Sequence, residues 1–121
     1  MKSKQGPGFD FEPRLRIRLG NEIALGPGKI ELLQRIQETG SITEAARQMG
    51  MSYMRAWKLI QTMNHCFKGP LVVAMRGGQH RGGAELTEVG SKAVGLYEKM
   101  ERDTLRACDK SGVQLRRLLK R

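Results

Sequence analysis

The chain has 121 residues, with Lys+Arg 22 against Asp+Glu 12 and a net charge of +10. That length suits one compact domain, and 39% hydrophobic content with 5% aromatic residues predicts a modest, aliphatic core. No stretch reaches the roughly 18–20 apolar residues of a membrane span, and no apolar run follows Lys2 and Lys4, so neither a membrane protein nor a secreted one is expected and the cytoplasm is the expected location.

The first 13 residues, with Gly6-Pro7-Gly8, read as a disordered tail. Leu15, Ile17 and Leu19 then alternate with Arg14, Arg16 and Arg18, the period of a half-buried strand. Gly20-Asn21 offers positive φ values for a tight turn, and residues 22–25 make a short return strand. After Gly26-Pro27-Gly28, Ile30, Leu33 and Ile36, flanked by Leu32, predict a helix over 29–38 that Gly40 terminates in the left-handed conformation. Ser41-Ile42-Thr43-Glu44 matches a capping box, in which the serine oxygen and the glutamate carboxylate each satisfy an orphan amide. The helix it opens spans 42–49.

Gly50 ends that helix and Ser52 caps the next, over 53–67, with Asn64, Lys68, Gly69 and Pro70 at its end. Residues 71–76 form a short apolar strand, 77–83 a glycine-rich loop and 84–86 a return strand. Thr87 caps a long helix from Glu88 whose apolar stripe is Val89, Ala93, Leu96, Tyr97, Met100, Thr104 and Ala107. Ser111-Gly112 is expected to break it, leaving a basic tail over 111–121 with Leu115, Leu118 and Leu119 on one side. The domain proper is then 14–110, mainly α with a small β-hairpin.

Charge and structure coincide in the middle of the chain. Between Glu44 and Glu85 there is no acidic residue, yet the segment holds Arg47, Arg55, Lys58, Lys68, Arg76 and Arg81. A basic face free of carboxylates is what a phosphate backbone attracts. The same stretch fits a helix-turn-helix: Ala46 is the small contact residue, Gly50 the turn, and Ala45, Met49, Met51, Ala56 and Leu59 the inward face. Trp57 reads as core. Arg47, Ser52, Tyr53, Arg55 and Lys58 are therefore candidate DNA contacts, the last four at the end of the second helix that enters a major groove. Arg55 is the candidate for bidentate reading of guanine O6 and N7. The hairpin that follows is a wing, and Gln79, His80 and Arg81 at its tip are candidates for phosphate or the minor groove.

Gly26-Pro27-Gly28-Lys29-Ile30, Thr39-Gly40-Ser41-Ile42, Ala45-Ala46-Arg47, Met49-Gly50-Met51-Ser52-Tyr53, Arg55-Ala56-Trp57 and Gly82-Gly83-Ala84-Glu85-Leu86-Thr87 together resemble the DNA-binding domain of the ModE family. These are molybdate-responsive transcriptional regulators, related in this domain to the LysR-type winged helix. The resemblance covers roughly 14–97. It implies a winged helix-turn-helix, a homodimer on a palindromic operator, and recognition-helix contacts at Ser52, Tyr53 and Arg55. Met54 stands where many members carry a basic residue. Full-length members resemble a winged helix joined to small β-barrels that bind the oxyanion, for which these 121 residues leave no room, so no oxyanion site is expected and any small-molecule effector is unassigned.

Two function classes stand beside a sequence-specific regulator of double-stranded DNA. A non-sequence-specific architectural DNA-binding protein would draw on Arg116, Arg117, Lys120 and Arg121 through phosphates alone. An enzyme is not expected, nor a metal or cofactor: His65 and Cys66 point about 100° apart on a helix, and a Cys66-His80-Cys108 site would have to be assembled from distant segments. Cys66 and Cys108 form no CxxC and are expected as reduced thiols, with a disulfide or a redox role as the alternative. The long helix, apolar beyond the needs of one small domain, is the expected dimerisation element.

Overall fold

The computed structural model describes residues 11–75 and 83–120. Most of the tail expected over 1–13 lies outside the described residues, as do Arg76 and the loop tip with Gln79, His80 and Arg81.

Strands β1 (Ile17–Leu19) and β2 (Glu22–Leu25) form the expected antiparallel hairpin, with Arg18 opposite Ile23 and a bulge between Ile17 and Arg18. Gly20 alone supplies the positive φ, at 59°; Asn21 does not share it. Helix α1 (Pro27–Thr39) starts two residues before position 29, because proline needs no amide partner and its fixed φ suits the first turn. Ile30, Leu32, Leu33 and Ile36 are buried along it, each contributing about 1.5–3 kcal/mol relative to exposure. Gly40 closes it at φ 70°, its N–H donating to the Ile36 carbonyl at 2.7 Å.

Helix α2 (Ile42–Gln48) is capped by Ser41, whose Oγ accepts from the Glu44 N–H at 3.0 Å. The other half of the expected capping box does not form. The Ser41 N–H donates instead to Thr39 Oγ1 at 3.2 Å, and the Glu44 carboxylate takes the Arg47 guanidinium one turn ahead. A cationic donor wins over a neutral amide that already has a partner.

Helix α3 (Tyr53–Cys66) follows, and then a second hairpin of β3 (Val72–Ala74) and β4 (Ala84–Leu86), antiparallel with Val73 opposite Glu85. Strand β3 is shorter than the span 71–76. Asn64, expected only as a helix-end signal, braces this hairpin: its Oδ1 accepts from the Leu71 N–H at 2.8 Å and its Nδ2 donates to the Val72 carbonyl at 3.3 Å.

Thr87 caps helix α4 (Glu88–Ala107) as expected, accepting from the Gly90 N–H at 3.0 Å while its hydroxyl donates to the Pro70 carbonyl at 2.6 Å. The break comes at Cys108 rather than at Ser111-Gly112, which lie within a further helix, α5 (Asp109–Arg116). Helices α1, α2 and α3 enclose the core, with α4 packed on α1 and β4. Among the described residues no polar or charged residue is buried. The architecture is a mainly α winged helix-turn-helix with a long C-terminal helix.

Candidate nucleic-acid interface

The turn between α2 and α3 sets how the second helix is presented. Ala46 is buried where the helices meet, and its carbonyl accepts from the N–H groups of Met49 at 3.1 Å and Met51 at 3.0 Å. Gly50 adopts φ 68°, the left-handed conformation that turns the chain. Ser52 is extended, and its Oγ accepts from the Arg55 N–H at 3.1 Å, fixing the first turn of α3. The inward face is as expected in kind but deeper along the helix: Ala56, Ile60 and Met63 are buried, while Met49, Met51, Trp57 and Leu59 pack against them only in part.

The outward face holds most of the sequence candidates. Ser52, Tyr53, Arg55 and Lys58 are all exposed at the N-terminal half of α3. Among the described residues no carboxylate pairs with Arg55 or Lys58, so both guanidinium and ammonium stand open to an external anion. Arg47 is different. It is exposed too, but its guanidinium bonds the Glu44 carboxylate, which that hydrogen bond holds below the usual carboxylate range, while Arg47 is held above its own ordinary value. Its charge is already half-answered.

Met54, for which the sequence assigned no contact, is 59% exposed on the outward side of α3. Counting residues at 100° from the buried Ala56, Ile60 and Met63 places it there.

The wing is anchored next to the same site. Ser41 pairs with Gly83 as an isolated bridge, the Ala84 N–H donates to the Gly40 carbonyl at 3.0 Å, and the Met75 N–H donates to the Gly83 carbonyl at 2.9 Å. The loop-side end of the hairpin is thus held to the α1–α2 turn. Gln79, His80 and Arg81 lie beyond it, outside the described residues.

Acidic side chains gather elsewhere. Glu31, Glu38 and Glu98 line a cavity of about 580 Å³ between α1 and α4, where Gln34 Nε2 donates to Glu98 Oε2 at 2.8 Å. Helix α3 is therefore the one with unbalanced charge: it carries Arg55 and Lys58 and no carboxylate, whereas α1 sets Lys29 and Arg35 against Glu31 and Glu38, and α4 has four basic and four acidic residues. Among the described residues no three His, Cys, Asp or Glu side chains are grouped to hold a metal. Cys66, at the end of α3, and Cys108, between α4 and α5, are free and partly buried. No helix among the described residues is long and apolar enough to cross a membrane.

Residues 28–91 match the bacterial regulatory helix-turn-helix proteins of the LysR family. The chain belongs to that family. This LysR-family domain is 38% identical over 105 residues to the molybdenum transport protein ModE of Azotobacter vinelandii, covering 87% of this chain and 39% of that protein. It is 40% identical over 100 residues to the molybdenum-pterin-binding protein MopB of Rhodobacter capsulatus, covering 82% and 37%. The DNA-binding transcriptional dual regulator ModE of Escherichia coli is 35% identical over 95 residues, covering 78% and 36%. The chain thus spans less than two fifths of the length of these relatives. Among solved structures, the CbnR DNA-binding domain in its DNA complex superposes with a TM-score of 0.51 at 19% identity, covering 77% of this chain and 97% of that one. The last likeness establishes the LysR-type fold.

Proposed function

We propose that the chain is a sequence-specific double-stranded DNA-binding regulator of transcription, acting in the cytoplasm as a homodimer and without enzymatic activity. The observation that carries the reading is the exposed N-terminal half of α3, where Arg55 and Lys58 have no counter-ion among the described residues and sit on a helix-turn-helix. Ser52, Tyr53, Arg55 and Lys58 enter the major groove, Arg47 meets phosphate at the cost of loosening Glu44, and Gln79, His80 and Arg81 of the wing reach the backbone or the minor groove. The similarity to proteins named as DNA-binding regulators supports the same reading.

The exposed stripe on α4 supports the dimer. Val89, Leu96 and Met100 repeat at helical spacing on a side about 100° round the helix from the buried Gly90, Val94 and Tyr97. A partner helix laid along it would bury that apolar surface and set two recognition helices at a fixed separation.

The test is selection from a random DNA library, followed by binding of the winner at several salt concentrations. A palindromic consensus with half-sites about one helical turn apart, bound roughly 10³-fold or more above random DNA, is the expected result. Enrichment of no sequence, with affinity set by salt alone, would leave the architectural reading and discard this one. The names of the relatives tie them to molybdenum, so molybdate is the first small molecule to add to that assay.

A further inference from the structure

We propose that Met54 reads thymine through its C5-methyl group. The proposal rests on the regulator reading above and assigns to this side chain one element of its sequence specificity.

The geometry starts from the buried side of α3. Ala56, Ile60 and Met63 define the direction of the core. At about 100° per residue, the direction opposite to them falls within roughly 30° of Met54 and Lys58, whereas Arg55 lies some 75° round and Tyr53 further still. Met54 and Lys58 therefore project most directly from the helix, with Arg55 and Tyr53 on its flanks. Exposure agrees: Met54 is 59% exposed, against 42% for Tyr53.

Position in the helix matters as much as direction. Met54 follows Tyr53 in the first turn, immediately after the Ser52 cap. That end of a recognition helix meets base edges. An ammonium or guanidinium there would find phosphates or guanine, but the methionine side chain offers only a weakly accepting sulfur and three carbons in an unbranched chain. Among the base edges in the major groove the apolar feature is the thymine methyl; every other group presented there is a hydrogen-bond donor or acceptor. Met54 thus discriminates thymine from cytosine, while Arg55 and Lys58 beside it contact guanine and phosphate. The flexible side chain can follow a methyl over a range of positions without strain.

The experiment replaces each dT of the selected operator, in symmetric pairs, with deoxyuridine, which removes the methyl and leaves every hydrogen-bonding group in place. Wild-type protein is expected to lose about fourfold at each half-site for one such pair, the transfer free energy of a single methyl group. Met54→Ala is expected to bind the dT operator more weakly and to be indifferent to that replacement. Met54 is exposed, and an unchanged unfolding midpoint checks that the variant folds. A wild-type protein indifferent to every dT-to-dU change overturns the proposal, as does a Met54→Ala variant that keeps the same sensitivity. Failure to select any operator overturns the regulator reading and this assignment with it.

Discussion

The Leu71 carbonyl oxygen occupies the space where a side chain on Gly90 would begin: a Cβ built on Gly90 comes within 2.1 Å of it, and within 3.0 Å of the Leu71 carbonyl carbon. Here α4 crosses the segment that enters the wing, and the contact is backbone against helix. The same segment is held by Thr87, whose N–H donates to the Leu71 carbonyl at 2.9 Å.

Gly90→Ala should therefore destabilise the domain by about 2–4 kcal/mol, since neither side of the contact can yield without moving backbone. Gly95→Ala is the control. It lies on the same helix with nothing within 4 Å of its Cβ position, so helix propensity alone predicts a gain of up to about 1 kcal/mol. Urea unfolding of the two variants against wild type checks both. Equal effects would mean that the close approach is not the determinant.

Asn64 should be nearly as sensitive. It satisfies the backbone of Leu71, a fully buried residue, and donates to Val72 with the same amide. Asn64→Ala is expected to cost about 1–3 kcal/mol by leaving the Leu71 N–H without its partner. Asn64→Asp retains that acceptor and loses the donor, so it should fall between alanine and wild type. Hydrogen exchange at the Leu71 amide gives a local readout.

These two contacts indicate what sequence reading could and could not reach. The cap at Thr87, the strand 84–86 and the left-handed glycines Gly40 and Gly50 were legible because each depends on residues a few positions apart. The half-formed capping box was not, because Thr39 and Arg47 compete for the same groups and local rules do not rank the competitors. On α4 the difficulty was breadth. Its apolar residues cover one wide arc of the helix, so spacing alone could not say that the edge with Gly90, Val94 and Tyr97 faces the domain while the edge with Val89, Leu96 and Met100 is exposed. The break at Ser111-Gly112 failed because a glycine in a short exposed helix costs only about 1 kcal/mol and does not by itself end it. At the candidate interface the helix-turn-helix and the exposure of Arg55 and Lys58 were legible, and helical periodicity held the outward Met54 as well; the engagement of Arg47 by Glu44 required the fold.

Tyr97 ties α4 to the first hairpin, its hydroxyl donating to the Leu15 carbonyl at 2.7 Å. Burial chiefly, and Glu101 next, push its ionisation above the ordinary tyrosine value, against the opposing pull of Arg14 and Arg16. A folded-state pKa raised above the unfolded one means that this contribution to stability is complete below about pH 10 and is lost as the pH climbs through the folded value. Tyr97→Phe should cost about 0.5–1.5 kcal/mol at neutral pH and should flatten the alkaline decline of stability above pH 10. A decline of unchanged steepness in the variant would assign it to other groups.

Binding should separate the two arginines of the basic segment. Arg55 has no carboxylate partner among the described residues, whereas Arg47 must give up its bond to Glu44 before it can serve a phosphate fully. Arg55→Ala is expected to weaken operator binding by about 1–3 kcal/mol and to relax preference at one base pair of each half-site. Arg47→Ala should weaken all sequences alike and by less. Glu44→Gln should strengthen binding to any duplex and steepen its salt dependence, because it releases a cation and removes an anion beside the phosphates. A Glu44→Gln protein that binds no tighter at low salt would place Arg47 outside the contacted surface.

The α4 stripe offers the last test, one of assembly. Leu96 is 53% exposed and Met100 44% in the single chain, and each would be covered by an antiparallel or parallel copy of the helix. Leu96→Glu would set a carboxylate against its own copy in that seam, where an unpaired charge costs several kcal/mol. Sedimentation should then show a monomer with an unchanged circular dichroism spectrum, since Leu96 is exposed and is not one of the side chains packed on the core. The monomer should retain salt-dependent affinity for random DNA while losing most of its preference for a palindromic site, because a single recognition helix reads one half-site. A Leu96→Glu protein that remains dimeric would move the interface off this stripe, and the exposed Leu115, Leu118 and Leu119 near the C-terminus would be the next surface to charge.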